Sequence, residues 1–462
     1  MSYMPLHSWW GTTTSDAWCD EVFSHAPGAG RAGATDSTLT NLQGGLSGVP
    51  YPADELATTD PLDGRPLLAR YDLERAAKTL SDRQRDAGVP FRGVWRWDEL
   101  LPVRDWSNVV TLGEGSTPLL EASRLGRAYG ISQLLVKAES LNPTGSFKAR
   151  GMTVAVSRAI ELGAASFVMP SAGNAGGALA AYAGVAGVQA TVVMPSDAPI
   201  VNQAEVVVCG ADLILVDGLI SDCGRLTARI AERTGAFNLS TLKEPYRVEG
   251  KKTMGIELAE DLGWSLPDVI VYPMGGGTGL IGMWKAFAEL EEMGLIGGAR
   301  PRMVGVQVEG CAPLVRAFLA GRQFAEPWAE ATTEAAGLRV PSTVGDFLVL
   351  EAISESGGTA IAVPEAELAP TQSFAARHGA GFLSLESAAV FAALSELRSH
   401  HAVEPDDTVV VFDTGAGFKS TLPEVPARRS VGASDADWES LLSGYAPASQ
   451  RGSTSASADS GP

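Results

Sequence analysis

Strand-length runs of Val, Ile and Leu recur through the middle of the chain with helical patterns between them. "SFVMP", "GNAGGALAAYAGVAG", "QATVVMP", "VNQAEVVVCG" and "DLILVDG" follow one another from Ser166 to Gly218. Apolar runs without alternation belong to strands covered on both faces, and strands that alternate with helices form parallel sheets joined by crossovers. A second round begins with "DVIVYPM", a glycine-rich turn, "LIGMWKAFAELEEMG" and "RMVGVQVEG", and closes with "AAVFAALSELRSH" and "DTVVVFDTG". The fold class is therefore α/β with twisted, parallel-type sheets. No fixed-period repeat is present.

A chain of 462 residues, 45% hydrophobic and 19% charged, has material for two globular lobes. Its 54 acidic against 35 basic residues give a net charge of -19, which repels phosphate backbones and anionic lipid, so neither nucleic acid nor membrane is an expected partner. Solvated faces account for that excess without an acidic functional surface. Cys19, Cys209, Cys223 and Cys311 form no C-x-x-C pair, as expected of free thiols in a reducing cytosol. The apolar runs are too short to span a bilayer and the first residues lack a signal-peptide pattern, so a cytoplasmic location is expected. Residues 1–40 and 426–462 are rich in small and polar residues without periodicity and are expected to lack fixed structure, with Trp9 and Trp10 an unattached pair in the first tail.

Three features carry chemistry. In "YPMGGGTGLIGMWKAF" a buried strand runs through Gly275, Gly276, Gly277, Thr278 and Gly279 into a helix. Glycines let successive N–H groups converge on one anion, and the helix N-terminus adds about half a positive charge, so this is a phosphate cradle. It is not a P-loop, because no Gly-Lys-Ser/Thr follows. In "MPSAGNAGGALAAYA" another strand meets a helix start, where Ser171 and Asn174 can add side-chain hydrogen bonds for a carboxylate, although a Ser or Asn helix cap is commonplace taken alone. In "ESLNPTGSFKARGM" Lys148 follows a run of turn residues. Burial near positive potential lowers a lysine's pKa, and the neutral amine condenses with carbonyls. Most lysines are solvated surface charges, but an anion cradle, a carboxylate pocket and a lysine together suggest pyridoxal phosphate.

"LGEGSTPLL", "ESLNPTGSFKARG", "SAGNAG", "RVEGKKT", "PDVIVYPMGGGTG" and "RPRMVGVQVEGCAPL" occur in an order and spacing that resemble the threonine synthase family. The resemblance runs from about residue 66 to residue 420. It implies a fold type II pyridoxal phosphate enzyme, tryptophan synthase β-like, with two lobes and the cofactor in the cleft between them. The catalytic domain is then 66–425, with a smaller lobe at about 160–240, and homodimerisation is the default of the group. By the same resemblance Lys148 matches the Schiff-base lysine with Phe147 beside it, and Asn174 the residue at the cofactor's 3-hydroxyl. Gly275 to Gly279 match the phosphate loop, and Thr414 the hydroxyl facing the pyridine nitrogen. Ser171, Asn174, Ala175, Arg150, Lys243 and Arg247 fall at substrate-binding positions.

The reaction so implied converts O-phospho-L-homoserine and water into L-threonine and phosphate, making the partner a phosphorylated amino acid. Several positions depart from the family pattern. Lys148-Ala149-Arg150 stands for Lys-Asp-Arg, Ser171-Ala172-Gly173-Asn174-Ala175 for Ser-Thr-Gly-Asn-Thr, and Gly-Gly-Gly-Thr-Gly for Gly-Asn-Gly-Gly-Asn. Thr241 to Arg247 lacks the Asn and Ser that help hold the substrate phosphate, where Lys243 either supplies a replacement cation or pairs with Glu244 in solvent. The first two departures lean toward serine and threonine dehydratases. A dehydratase, a specialised β- or γ-replacement enzyme and a non-catalytic cofactor-binding protein are the alternatives. Residues 41–65 resemble an amino-terminal ribbon that binds zinc through cysteines in some relatives; those cysteines are absent, so no metal is expected.

Overall fold

The computed structural model describes residues 33–85, 93–420, 422, 431 and 433–442. Trp9, Trp10 and Cys19 lie outside the described residues.

The packed body begins earlier than composition indicates. Within the supposed tail, Thr35 donates its N–H to Arg104 O at 2.9 Å and its hydroxyl to Val103 O at 2.6 Å. Leu39–Gly44 then pairs antiparallel with Pro50–Tyr51 on one side and Leu67–Tyr71 on the other. Leu39 and Leu42 turn into the core while Thr40 faces solvent, a spacing of three that the register shift between Leu39 and Asn41 allows, and it lets a polar-looking segment bury its two leucines. This three-stranded sheet occupies the ribbon-like region. Asp60 organises its turns, accepting the Tyr51 hydroxyl at 2.6 Å and the Leu62 N–H at 2.8 Å. At the other end an eight-residue helix, Asp435–Leu442, stands within the segment expected to be loose. It belongs to a separate unit, Leu422–Pro462.

Two further sheets carry the α/β pattern. The larger runs Thr359–Val363, Arg302–Val308, Val269–Pro273, Thr408–Phe412, Gln133–Lys137 and Leu119–Glu121, all parallel except the last pairing. The smaller runs Asp212–Val216, Gln189–Pro195, Ser166–Pro170 and Phe237–Asn238, all parallel. Val269, Ile270, Val271, Val409, Val410 and Val411 are buried, as expected where helices cover both faces.

Helix Tyr246–Asp261 runs through the interior, with every residue from Tyr246 to Ala259 buried. Its close contact with helix Lys148–Glu161 depends on glycine: a Cβ on Gly250 would overlap Arg150 O. Some buried charges are paired between this helix and helix Thr278–Glu292, although the Lys251 amine is buried without a hydrogen-bond partner among the described residues. Lys252 meets Glu249 and Glu289 at 2.8 Å each, and Lys285 meets the same two carboxylates. Removing one member of such a buried pair costs about 3–5 kcal/mol because its partner is left charged and dry. These pairings tie helix Tyr246–Asp261 to helix Thr278–Glu292, the helix that follows the glycine turn.

Candidate active site

The cleft between the two α/β sheets holds a cavity of about 640 Å³. Lys148 opens helix Lys148–Glu161 after a turn in which Thr144 and Gly145 have φ of 62° and 64°. Two backbone bonds tie this turn to the end of strand Thr408–Phe412: Phe147 N–H to Thr414 O at 3.1 Å and Ala416 N–H to Gly145 O at 3.0 Å. Residues far apart in the chain, Lys148 and Thr414, thereby line one cavity.

The Lys148 amine lies 4.0 Å from the Phe147 ring centroid. Burial lowers its pKa to about 7, with the charge of Arg247 adding to the effect and Glu386 opposing it. Half the amines are then neutral near pH 7. Capture of a carbonyl compound by the cofactor-free protein should accelerate with rising pH and level off above about 7, since only the unprotonated amine attacks. A stopped-flow absorbance series from pH 5 to 9 measures this, and a midpoint above 9 would contradict it.

Gly275 to Gly279 line the cavity where strand Val269–Pro273 meets helix Thr278–Glu292. Gly277 has φ 74°, and a Cβ there would strike Val349. A Cβ on Gly275 would run into Gly337 O. The bare backbone leaves the first N–H groups of the helix free to point at an anion. On the smaller lobe, helix Asn174–Ala186 starts at the cavity wall, and the Asn174 side-chain oxygen is buried without a hydrogen-bond partner in the protein. Such an atom calls for a donor from a bound group. Ser171 also lines the wall, but its oxygen accepts N–H from Gly173 at 3.1 Å and Gly176 at 2.8 Å, closing its own turn. Ala175 lines the cavity beside it. Thr414 is held by its N–H to Ser387 Oγ at 2.9 Å. Behind it, burial pushes the Asp413 carboxyl up to about 6, and the Ser140 hydroxyl donates to it.

Two expected substrate ligands lie elsewhere. Arg150 is fully buried, donating to Glu139 at 2.6 and 2.8 Å, to Glu257 at 2.9 and 2.6 Å and to the hydroxyls of Thr117 and Thr253. Two positions beyond Lys148 on a helix turning about 100° per residue, it points well away from that amine and serves as a structural hub. Arg247 lies outside the cavity lining, donating to Leu239 O at 2.8 Å, and it reaches Lys148 only through its charge. Lys243 does line the cavity, exposed at the rim. Its neighbour Glu244 turns inward to accept the N–H groups of Tyr246 at 2.7 Å and Arg247 at 3.1 Å, and burial pushes it up to about 7. No Lys243–Glu244 pair forms among the described residues.

The loop from Ala336 to Val344 was not foreseen. It forms a wall of the cavity, and Arg339 makes a two-pronged ion pair with Asp197 of the smaller lobe at 2.8 and 2.9 Å. A lone arginine in an irregular loop leaves no spacing signal.

The two α/β sheets, a desolvated lysine, a glycine cradle and an unsatisfied amide oxygen in one cleft define a fold type II pyridoxal phosphate enzyme. A family model described as pyridoxal-phosphate dependent enzyme matches residues 110–415. The chain is 35% identical over 83% of its length to 93% of threonine synthase from Methanocaldococcus jannaschii, and 37% identical over 70% of its length to 79% of threonine synthase from Methanosarcina acetivorans. Among solved structures, the T.th. threonine deaminase superposes with a TM-score of 0.56 at 27% identity, over 67% of this chain and 94% of that one. The chain belongs to the pyridoxal-phosphate dependent enzymes, in the threonine synthase family. Pyridoxal 5'-phosphate is its cofactor.

Proposed function

We propose that the chain converts O-phospho-L-homoserine and water into L-threonine and phosphate. The observation that carries this reading is the Lys148 amine, desolvated to a pKa of about 7 in a cavity shared with the glycine cradle and Asn174. When bound through its carbonyl carbon, pyridoxal phosphate supplies an electron sink for charge developing at the substrate's α carbon. Gly275 to Gly279 hold its phosphate, and the Asn174 amide orients it. Thr414 offers a neutral hydroxyl instead of a carboxylate, which leaves the ring nitrogen without an ion pair and restrains that sink. With cofactor and substrate bound, the free amine of Lys148 would take the α proton and, once it had given that proton up, would carry the β proton to the γ carbon as phosphate leaves.

Lys243 is the cation for the substrate phosphate in this reading. Arg65, Arg225, Arg339 and Lys419 also line the cavity, but each already pairs with a carboxylate: Asp346, Asp222, Asp197 and Glu205. Lys243 has no ion-pair partner among the described residues. Replacing it with Met should raise KM for the phosphorylated substrate by about tenfold while changing kcat less, the loss of one charge-assisted contact. Steady-state kinetics on both proteins measure this, and an unchanged KM would move the phosphate seat elsewhere.

Incubation of the cofactor-loaded protein with O-phospho-L-homoserine, and separately with L-threonine and L-serine, tests the function. Phosphate with threonine is the expected outcome; oxo acid from the unphosphorylated amino acids would make it a dehydratase.

A further inference from the structure

We propose that Arg65, which projects from the three-stranded sheet, is a positioning residue for the phosphate cradle: it clamps the segment that backs Gly275, Gly276 and Gly277, and so sets the affinity for the cofactor's phosphate. The inference rests on the reading of Gly275 to Gly279 as the seat of that phosphate.

The cradle leans on one stretch of chain, residues 337–349. A Cβ on Gly275 would lie 2.3 Å from Gly337 O, and one on Gly277 would lie 2.2 Å from a Val349 methyl. Between these two contacts the Thr343 hydroxyl donates to Gly276 O at 3.4 Å. Bare glycine backbone is therefore packed directly on the segment, and in a close-packed interior a shift of one surface is passed to the other.

Arg65 holds the middle of that segment. It stands on a closed turn, in which Gly64 donates its N–H to Asp60 O and Asp60 its own to Arg65 O, both at 2.8 Å. From there the guanidinium donates to Val344 O at 3.0 Å and to Asp346 Oδ1 at 2.8 Å, and lies 4.7 Å from the Phe324 ring centroid. Asp346 is buried in the first turn of helix Asp346–Glu355, where its other oxygen accepts the Ala325 N–H at 2.8 Å. Val344 follows Thr343 directly, and Val349 lies one helical turn beyond Asp346. Charge-assisted bonds to both sides of Gly345 thus fix the stretch between two of the cradle's three supports.

The test compares the dissociation constants of pyridoxal phosphate and of pyridoxal, which lacks the phosphate, by absorbance titration of stripped wild-type and Arg65→Met proteins. The variant is expected to bind pyridoxal phosphate about tenfold more weakly, the size typical of outer contacts that orient a binding shell, and to bind pyridoxal as the wild type does. Equal weakening for both ligands, which a general loss of structure would produce, overturns the proposal, and so does unchanged affinity for pyridoxal phosphate. Asp346→Asn separates the clamp from a direct contact. A clamp released at its other end also weakens pyridoxal phosphate selectively, whereas binding kept or tightened once the guanidinium is freed would show Arg65 meeting the phosphate itself and overturn the proposal. Should Arg65→Met not fold, Arg65→Lys keeps a cation opposite Asp346 and is read by the same comparison. Wild-type protein that binds the two ligands equally tightly would overturn the cradle reading before any variant is compared.

Discussion

Replacing Lys148 with alanine lowers turnover by at least about 1,000-fold, because one amine serves as covalent anchor, base and proton carrier. The substitution costs the contact with the Phe147 ring but breaks no ion pair among the described residues, since the side chain lines the cavity. Stability is therefore expected to stay near that of the parent while the covalent attachment of cofactor disappears. Borohydride reduction of the loaded protein, followed by peptide mass analysis, measures the attachment directly. Label retained on another lysine in the variant would show that Lys148 had been wrongly singled out.

A second large effect comes from the cradle. Gly275→Val places a branched side chain where Gly337 O already stands, so either the loop bearing Gly337 or the cradle itself must move. The N–H groups at the start of helix Thr278–Glu292 then no longer converge, and the cofactor's phosphate loses most of its binding contacts. The expected result is a cofactor dissociation constant raised at least about 100-fold, or about 2.7 kcal/mol, measured by titrating stripped protein and following absorbance. Carbonyl capture by Lys148 should keep its pH midpoint near 7, since neither its burial nor Arg247 is altered. A variant that binds cofactor as tightly as the parent would mean that the phosphate sits elsewhere.

How far the sequence reaches depends on whether a feature is local. Strands such as Val269–Pro273 and Thr408–Phe412 are unbroken apolar runs, so their nature is written in five consecutive residues. The glycine turn and the Ser171–Asn174 turn are equally local, and both line the cavity. Leu39–Gly44 escaped because its partner, Leu67–Tyr71, lies more than twenty residues on and its own composition is polar. Arg150 was misread because adjacency in a motif is not adjacency in space: the helix turns it into a nest of carboxylates. The inward turn of Glu244 beneath Lys243 depends on the N-terminus of helix Tyr246–Asp261, which no spacing rule records. Glu386 and Arg339 reach the cavity only through the packing of distant elements, and nothing in their neighbourhoods marks them.

The measurement that tests the central claim most directly is turnover of O-phospho-L-homoserine by the loaded protein in oxygen-18 water, with mass analysis of both products. The account predicts one threonine per phosphate, the label in the threonine hydroxyl and unlabelled phosphate, because water attacks the β carbon and the bond between carbon and the bridging oxygen breaks. Labelled phosphate accompanied by homoserine would mean hydrolysis at phosphorus and would contradict the account.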